Sequence, residues 1–208
     1  MHKLLGLHGQ TLNGTLMRRE LANLEKLGVE LICPDGPNAC SDSLVDRLYT
    51  RLGTARQDPP YCAWWDASDD GRTYRGWEAT RDLLAPILAA GPLGIIGFSQ
   101  GAILATALAA MAQHGQLPPI DYVVLIAGRS PRADVFAPYL VDPIRTPSLH
   151  VWGDNDQLAR VTSIELVDRF DVESRTVATW PGAHRIPTRG PGAAAIEQFI
   201  ARMIGAAA

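Results

Sequence analysis

The stretch Gly94-Ile95-Ile96-Gly97-Phe98-Ser99-Gln100-Gly101-Ala102 decides how the rest of the chain is read. Its first five residues form an apolar run with two β-branched isoleucines, which suits a short strand buried on both faces. From Ala102 to His114 the sequence turns rich in alanine and leucine, the composition of a helix. Between the two, Gly97-Phe98-Ser99-Gln100-Gly101 matches G-x-S-x-G, the nucleophile elbow, whose small flanking residues permit a sharp turn that exposes a serine hydroxyl. The pattern alone is weak, because a glycine-rich turn can also carry a passive serine. A strand before it and a helix after it are the setting that gives it chemical meaning, and Ser99 is therefore the candidate nucleophile.

Outward from that turn, short β-type runs at residues 3–7, 30–33, 122–127, 149–152 and 175–180 alternate with helical patterns. Such alternation predicts an α/β fold, a mostly parallel sheet of about six strands with helices on both faces. Met17, Leu21 and Leu24 recur at helical spacing before Gly28, a residue suited to ending a helix. Thr162 and Glu165 have capping-box spacing ahead of Val167 and Phe170, and Ile196, Phe199, Ile200, Met203 and Ile204 make one apolar stripe. Residues 34–76 are the least regular part, with Pro37, Pro59, Pro60 and the pair Trp64-Trp65. A helix over residues 41–52, with Leu44, Val45, Leu48 and Leu52 on one side, fits inside this stretch. We read residues 35–75 as a small cap segment within a single domain spanning residues 1–208. There are no internal repeats, and low complexity is confined to the alanine-rich helix after Ser99 and the tail at residues 206–208.

Composition narrows the function classes. With 47% hydrophobic and 20% charged side chains over 208 residues, the chain has the make-up of an ordinary globular domain able to bury a core. A net charge of -3 gives no electrostatic reason to expect nucleic acid or an anionic membrane as a partner. No apolar run reaches the roughly 20 residues needed to span a bilayer, and the N-terminus lacks the pattern of a signal peptide. Cys33, Cys40 and Cys62 show neither CxxC nor metal-ligand spacing and read as reduced thiols, with a Cys33 to Cys40 bridge as the alternative. These features point to the cytoplasm.

A serine hydroxyl needs a base to take its proton and an acid residue to orient that base. In α/β-hydrolases the three follow one another in the order serine, acid, histidine. Of the five histidines, His114, His150 and His184 follow Ser99. His114 ends the helix after the elbow, and His150 lies within a strand, where a buried histidine with its hydrogen bonds satisfied is expected. His184, in Trp180-Pro181-Gly182-Ala183-His184, comes just past the last strand, at the sheet edge where open α/β sheets place their ligands. For the acid, Gly153-Asp154-Asn155-Asp156 follows the strand at residues 149–152; two aspartates compete, and at least one is a turn residue. Attack on a carbonyl also requires donors for the developing oxyanion. The Gln100 amide follows the nucleophile, and the Gln10 amide, in Leu7-His8-Gly9-Gln10, is the candidate for the second. His8 precedes the serine and reads as structural support for its loop. Trp64, Trp65, Phe98, Leu158 and Ile186 are candidates for an apolar acyl site without evident charge, so neutral acyl chains are the expected ligands.

Taken together, Leu7-His8-Gly9 with Asn13-Gly14, Ala63-Trp64-Trp65, Gly97 to Ala102, Gly153 to Gln157, and Pro181-Gly182-Ala183-His184 with Pro187 resemble the FSH-type serine hydrolases, the ovarian-cancer-associated homologue group of the α/β-hydrolase superfamily. The likeness runs almost end to end. It implies that the acid lies in a G-x-x-D pattern, which maps onto Gly153 and Asp156, so that Ser99, Asp156 and His184 form the carried-over triad. It also implies hydrolysis of carboxylic esters or thioesters of short to medium acyl chains, with no metal or organic cofactor. The group often has an arginine two residues before the tryptophan pair and a proline soon after the aspartate, where this chain has Cys62 and Arg160. Two other readings stay open. One is a dedicated thioesterase acting on a carrier-bound acyl chain, and the other is a non-catalytic ligand-binding protein that keeps the fold.

Overall fold

The computed structural model describes residues 2–91 and 94–206, so the last two alanines of the tail lie outside the described residues. Six strands, β1 (His2–Leu7), β2 (Val29–Ile32), β3 (Gly94–Phe98), β4 (Tyr122–Ile126), β5 (Ser148–Gly153) and β6 (Arg175–Trp180), form one sheet. Their order across it is β6-β5-β4-β3-β1-β2, and the paired neighbours run parallel. The helices are α1 (Gly14–Leu21), α2 (Asp42–Leu52), α3 (Trp77–Ala89), α4 (Gln100–Gln113), α5 (Arg160–Val167) and α6 (Gly190–Ala206).

Pleating explains why the central strands are apolar throughout. Successive side chains of a strand point to opposite faces, so covering both faces requires an unbroken hydrophobic run. In β1, Leu5 and Leu7 join one cluster while Leu4 joins the other; in β3, Ile95 divides from Ile96 and Phe98 in the same way. The first cluster includes Leu84 and Leu88 of α3, Leu104 and Leu108 of α4, and both Trp64 and Trp65. The second is closed by Met17 and Leu21 of α1 and by Ile196, Phe199 and Ile200 of α6. Burial of each such side chain contributes about 1.5–3 kcal/mol before the entropy of ordering is set against it.

The strand order reverses beside β1: the chain steps outward to β2, then returns to the other side as β3. At such a switch point the loops leaving the two central strands diverge and open a crevice at their carboxyl ends. The loop after β1 begins at His8 and the one after β3 begins at Ser99, so both border this crevice.

Two expectations about local structure need correction. Helix α5 starts at Arg160, with Ala159 as its N-cap and no side-chain cap; Thr162 lies inside the helix and its hydroxyl donates to the carbonyls of Gly128 and Ala159. Just ahead of the helix, Asp156 Oδ1 accepts from the N-cap amide, Ala159 N, at 2.8 Å, and Arg160 N donates to Asp156 O. His150 is buried, yet among the described residues only its Nε2 finds a partner, Ser148 Oγ at 3.1 Å, while Nδ1 has none. Between β2 and α3, residues 38–39 pair antiparallel with 62–63, and residues 66–67 with 74–75. Helix α2 begins after Ser41, whose side chain accepts from Leu44 N, and it buries Val45 and Tyr49. All three cysteines are free thiols. Among the described residues no helix is long and apolar enough to cross a membrane.

Candidate active site

Ser99 sits between β3 and α4 with φ 52° and ψ -113°, a backbone conformation that costs a non-glycine residue about 1–3 kcal/mol. The surroundings impose it. Ser99 N donates to Ile126 O at 2.8 Å, while Ala102 N and Ile103 N already bond back to Ser99 O at the start of the helix. The turn also presses against β1, where a Cβ on Gly101 would lie 2.0 Å from Leu7 O, so no larger residue fits there. The result leaves the serine side chain out of the helix cap and free for another partner.

That partner is His184, whose Nε2 lies 3.1 Å from Ser99 Oγ. On the other side of the ring, His184 Nδ1 lies 2.8 Å from Asp156 Oδ2. An ionised carboxylate only accepts, so Nδ1 carries the hydrogen and Nε2 is left as an acceptor for the serine hydroxyl. Asp156 is buried, and its other oxygen accepts from Leu158 N at 2.9 Å and Ala159 N at 2.8 Å. Burial by itself would raise the carboxyl pKa. The hydrogen bond and charge interaction with His184, aided by those two amides, outweigh it and hold the group below its ordinary value. Asp154 takes no part in this chain of contacts; its backbone amide bonds to Trp180 O, and its side chain is exposed.

The loop after β1 approaches from the opposite side. Gly9 lies against Ser99 and Phe98 so closely that a Cβ there would stand 3.3 Å from Ser99 Cβ and 2.9 Å from the Phe98 ring. Gly9 O accepts from Leu12 N, and Thr11 N donates to Cys62 O. Gln10, between these anchored residues, lines the same cavity as Ser99 and Gln100. Neither the Gln10 amide nor the Gln100 amide donates to another group among the described residues. His8 fixes the loop from behind. Gly36 N donates to its Nε2 at 2.8 Å, so Nδ1 must carry the hydrogen that bonds Gly9 O at 2.8 Å. Desolvation in this buried setting lowers the His8 pKa to about 4, keeping the ring neutral.

The two tryptophans divide. Trp64 donates its Nε1 to His8 O at 2.8 Å, stacks on the His8 ring and is wholly buried, so it belongs to the support of the loop and not to the cavity wall. Trp65 lines the cavity, stacked on Tyr74, as do Phe98, Leu158 and Ile186. The chain bends at Trp64, between the paired residues 62–63 and 66–67, and only one of the pair reaches the site. The Gln100 side chain pins both, accepting from Trp64 N and donating to Trp65 O at 2.9 Å each.

The cavity measures about 1250 Å³ and runs from Ser99 and His184 to α2, where Leu48, Tyr49 and Leu52 form part of its wall. It is not free of charge, as the apolar candidates had suggested. Arg19, Arg51, Arg129, Arg185 and Arg189 line it together with a single carboxylate, Glu20. Among the described residues no cluster of His, Cys, Asp and Glu could hold a metal ion.

The profile of the family described as Serine hydrolase (FSH1) matches residues 1–196. The chain belongs to this serine hydrolase family. Among relatives, the bovine esterase OVCA2 is 32% identical over 193 residues, covering 82% of this chain and 82% of that protein. "Family of serine hydrolases 2" of Saccharomyces cerevisiae is 30% identical over 205 residues, covering 88% of this chain and 90% of the yeast protein. Among solved structures, acyl-protein thioesterase 2 of Zea mays superposes with a TM-score of 0.74 at 20% identity, over 98% of this chain and 94% of the maize chain. That likeness establishes a shared α/β-hydrolase fold.

Within this family member, one part of the site escapes sequence reasoning and another is outlined by it. Arg129 belongs to no motif; its one signal is its position just past the carboxyl end of β4, the same placement that singles out His184 after β6. The wall supplied by α2 is foreshadowed by the Leu48 and Leu52 stripe, whose half-burial leaves it facing the cavity.

Proposed function

We propose that the chain hydrolyses carboxylic esters or thioesters of short to medium acyl chains through an acyl-enzyme on Ser99, with His184 as base and Asp156 as its orienting acid. The observation that carries this reading is the unbroken contact chain from Ser99 Oγ to His184 Nε2 at 3.1 Å and from His184 Nδ1 to Asp156 Oδ2 at 2.8 Å. As Ser99 Oγ bonds to the substrate carbonyl carbon, its proton passes to His184 Nε2. The imidazolium so formed is stabilised by Asp156. Negative charge gathers on the carbonyl oxygen, where the Gln10 and Gln100 amides donate to it, the latter at the positive N-terminal end of α4. His184 then returns the proton to the leaving alcohol or thiol as the bond to it breaks. Water attacks the acyl-enzyme by the same route, its proton passing through His184 to Ser99 as the acid product leaves.

Trp65, Phe98, Leu158 and Ile186 hold the acyl chain in this reading, and residues 35–75 act as a cap through the α2 wall. The free thiols suit the reducing cytoplasm, where we place the protein. The test is labelling with a fluorophosphonate, read by intact mass, together with turnover of acyl esters and thioesters of graded length. One label per chain, abolished by Ser99→Ala along with turnover, is expected; labelling that survives the substitution would overturn the assignment.

A further inference from the structure

Several arginines of this chain find a carboxylate where they least need one. Arg56 pairs with Asp46, Arg72 with Asp134, Arg75 with Asp66 and Arg81 with Asp82, all on the surface, where water already solvates the charge. Arg129 is the reverse case. It is half-buried in the wall of the cavity that holds Ser99, and it neither ion-pairs nor hydrogen-bonds with any described residue. A guanidinium cannot escape its charge by losing a proton at ordinary pH, so taking it out of water without a partner is costly. The groups that act on it electrostatically are Arg132 and Tyr74, not a carboxylate; burial first, then Arg132, press its pKa downward.

Its position ties it to the reacting serine. Ser99 N bonds to Ile126 O, and the chain continues through Ala127 and Gly128 to Arg129, all three on the cavity wall with Ser99. Gly128 O is anchored by the Ser163 hydroxyl at 3.0 Å, so the backbone presenting the arginine is held in place. The rest of the cavity does not neutralise it. Glu20 is the single carboxylate lining it, and Glu20 already lies 3.5 Å from Arg19. A cavity with five arginines and one paired glutamate, in a chain of net charge -3, concentrates positive charge where the substrate must enter.

We propose that Arg129 forms an anion-binding subsite, and that the preferred ester or thioester carries a carboxylate or phosphate remote from its reacting carbonyl. Arginine's planar fork can hold either group through two parallel N–H donors, and a charge-assisted pair in a half-buried site discriminates strongly against neutral analogues. The anion sits either at the far end of the acyl chain or on the leaving group. The inference rests on the hydrolase reading given above.

The experiment compares kcat/KM within two matched pairs, corrected for spontaneous hydrolysis. Mono-4-nitrophenyl adipate against 4-nitrophenyl hexanoate tests an anion on the acyl side. Butyryl-coenzyme A against butyryl-N-acetylcysteamine tests one on the leaving group. In wild type, at least one pair is expected to favour its anionic member by about tenfold or more, and the pair that does so identifies the source. Arg129→Gln should lower that ratio by about tenfold or more, and Arg129→Lys, which keeps the charge without the fork, should retain part of it. Ratios at or below one in both pairs, or a preference that Arg129→Gln leaves intact, overturn the subsite. If neither variant folds by thermal melt, inhibition of wild type by adipate and hexanoate decides, and equal inhibition overturns an acyl-side anion while free coenzyme A against N-acetylcysteamine does the same for the leaving group. Hydrolysis of the neutral substrates without an anionic preference removes only the role of Arg129. Absence of all turnover and of fluorophosphonate labelling removes the hydrolase reading as well.

Discussion

Two histidines stand behind the two loops that meet at Ser99, and they are held in opposite ways. His8, after β1, bonds to backbone on both sides: its Nε2 accepts from Gly36 N and its Nδ1 donates to Gly9 O. His184, after β6, bonds to two side chains, Ser99 and Asp156. An amide N–H cannot give way to a second donor, so protonating His8 would break the Gly36 contact. His184 instead faces a carboxylate at Nδ1 and, at Nε2, a hydroxyl, a partner that can either donate or accept. One ring is held by backbone groups in a single tautomer, while the other lies between two side chains, one of them the candidate nucleophile. The lesson is that the partners of an imidazole, more than its nearness to a nucleophile, decide whether it supports a loop or moves a proton.

The sharpest way to break this contrast is to remove each ring in turn. His184→Ala should lower kcat by at least about 10⁴-fold while leaving the melting temperature near that of wild type, because the loss falls on the proton transfer. Steady-state kinetics on purified, folded variant check this; near-normal turnover would move the base elsewhere. Asp156→Asn should cost about 10³-fold or more in kcat by favouring the wrong tautomer, whereas Asp154→Asn should stay within about 10-fold of wild type. Inactive Asp154→Asn beside active Asp156→Asn would reverse the assignment of the acid.

His8→Ala should act on stability first. It leaves the buried Gly36 N–H without its acceptor and opens a void beneath Trp64, together worth about 2–4 kcal/mol in denaturant unfolding. A loss under about 0.5 kcal/mol would mean that the loop does not depend on the ring.

The smallest effect separates the rings by pH. Desolvation lowers the pKa of His8 to about 4, and that of His150, also buried and near Arg175, to about 4. In the unfolded chain both bind a proton below about 6.5, so between these values the unfolded state holds more protons than the folded one. Stability is therefore complete above about pH 6.5 and falls as the pH drops toward 4, by about 1.4 kcal/mol per pH unit for each histidine. Unfolding measured between pH 6.5 and 5 should show this slope, and His8→Ala should remove about half of it. An unchanged slope in the variant would show that His8 is protonated in the fold.

What the sequence determines by itself is local. The apolar runs of β3 and β4, the G-x-S-x-G turn and the placement of His184 past a strand end are legible because strand burial and tight turns depend on neighbouring residues. The choice between Asp154 and Asp156 is not legible from spacing, since either can serve a turn, and the family likeness supplies the preference. Tertiary structure decides which aspartate faces the ring: the contacts joining Ser99, Asp156 and His184 cross 28 and 85 residues of chain. It also decides that Trp65 reaches the cavity while Trp64 turns under His8, and that Arg129 lines the cavity of Ser99 with no partner among the described residues. These outcomes depend on how distant segments pack against one another at the sheet edge. Charge balance and burial there are properties of the assembled cavity, and no local pattern of residues encodes them.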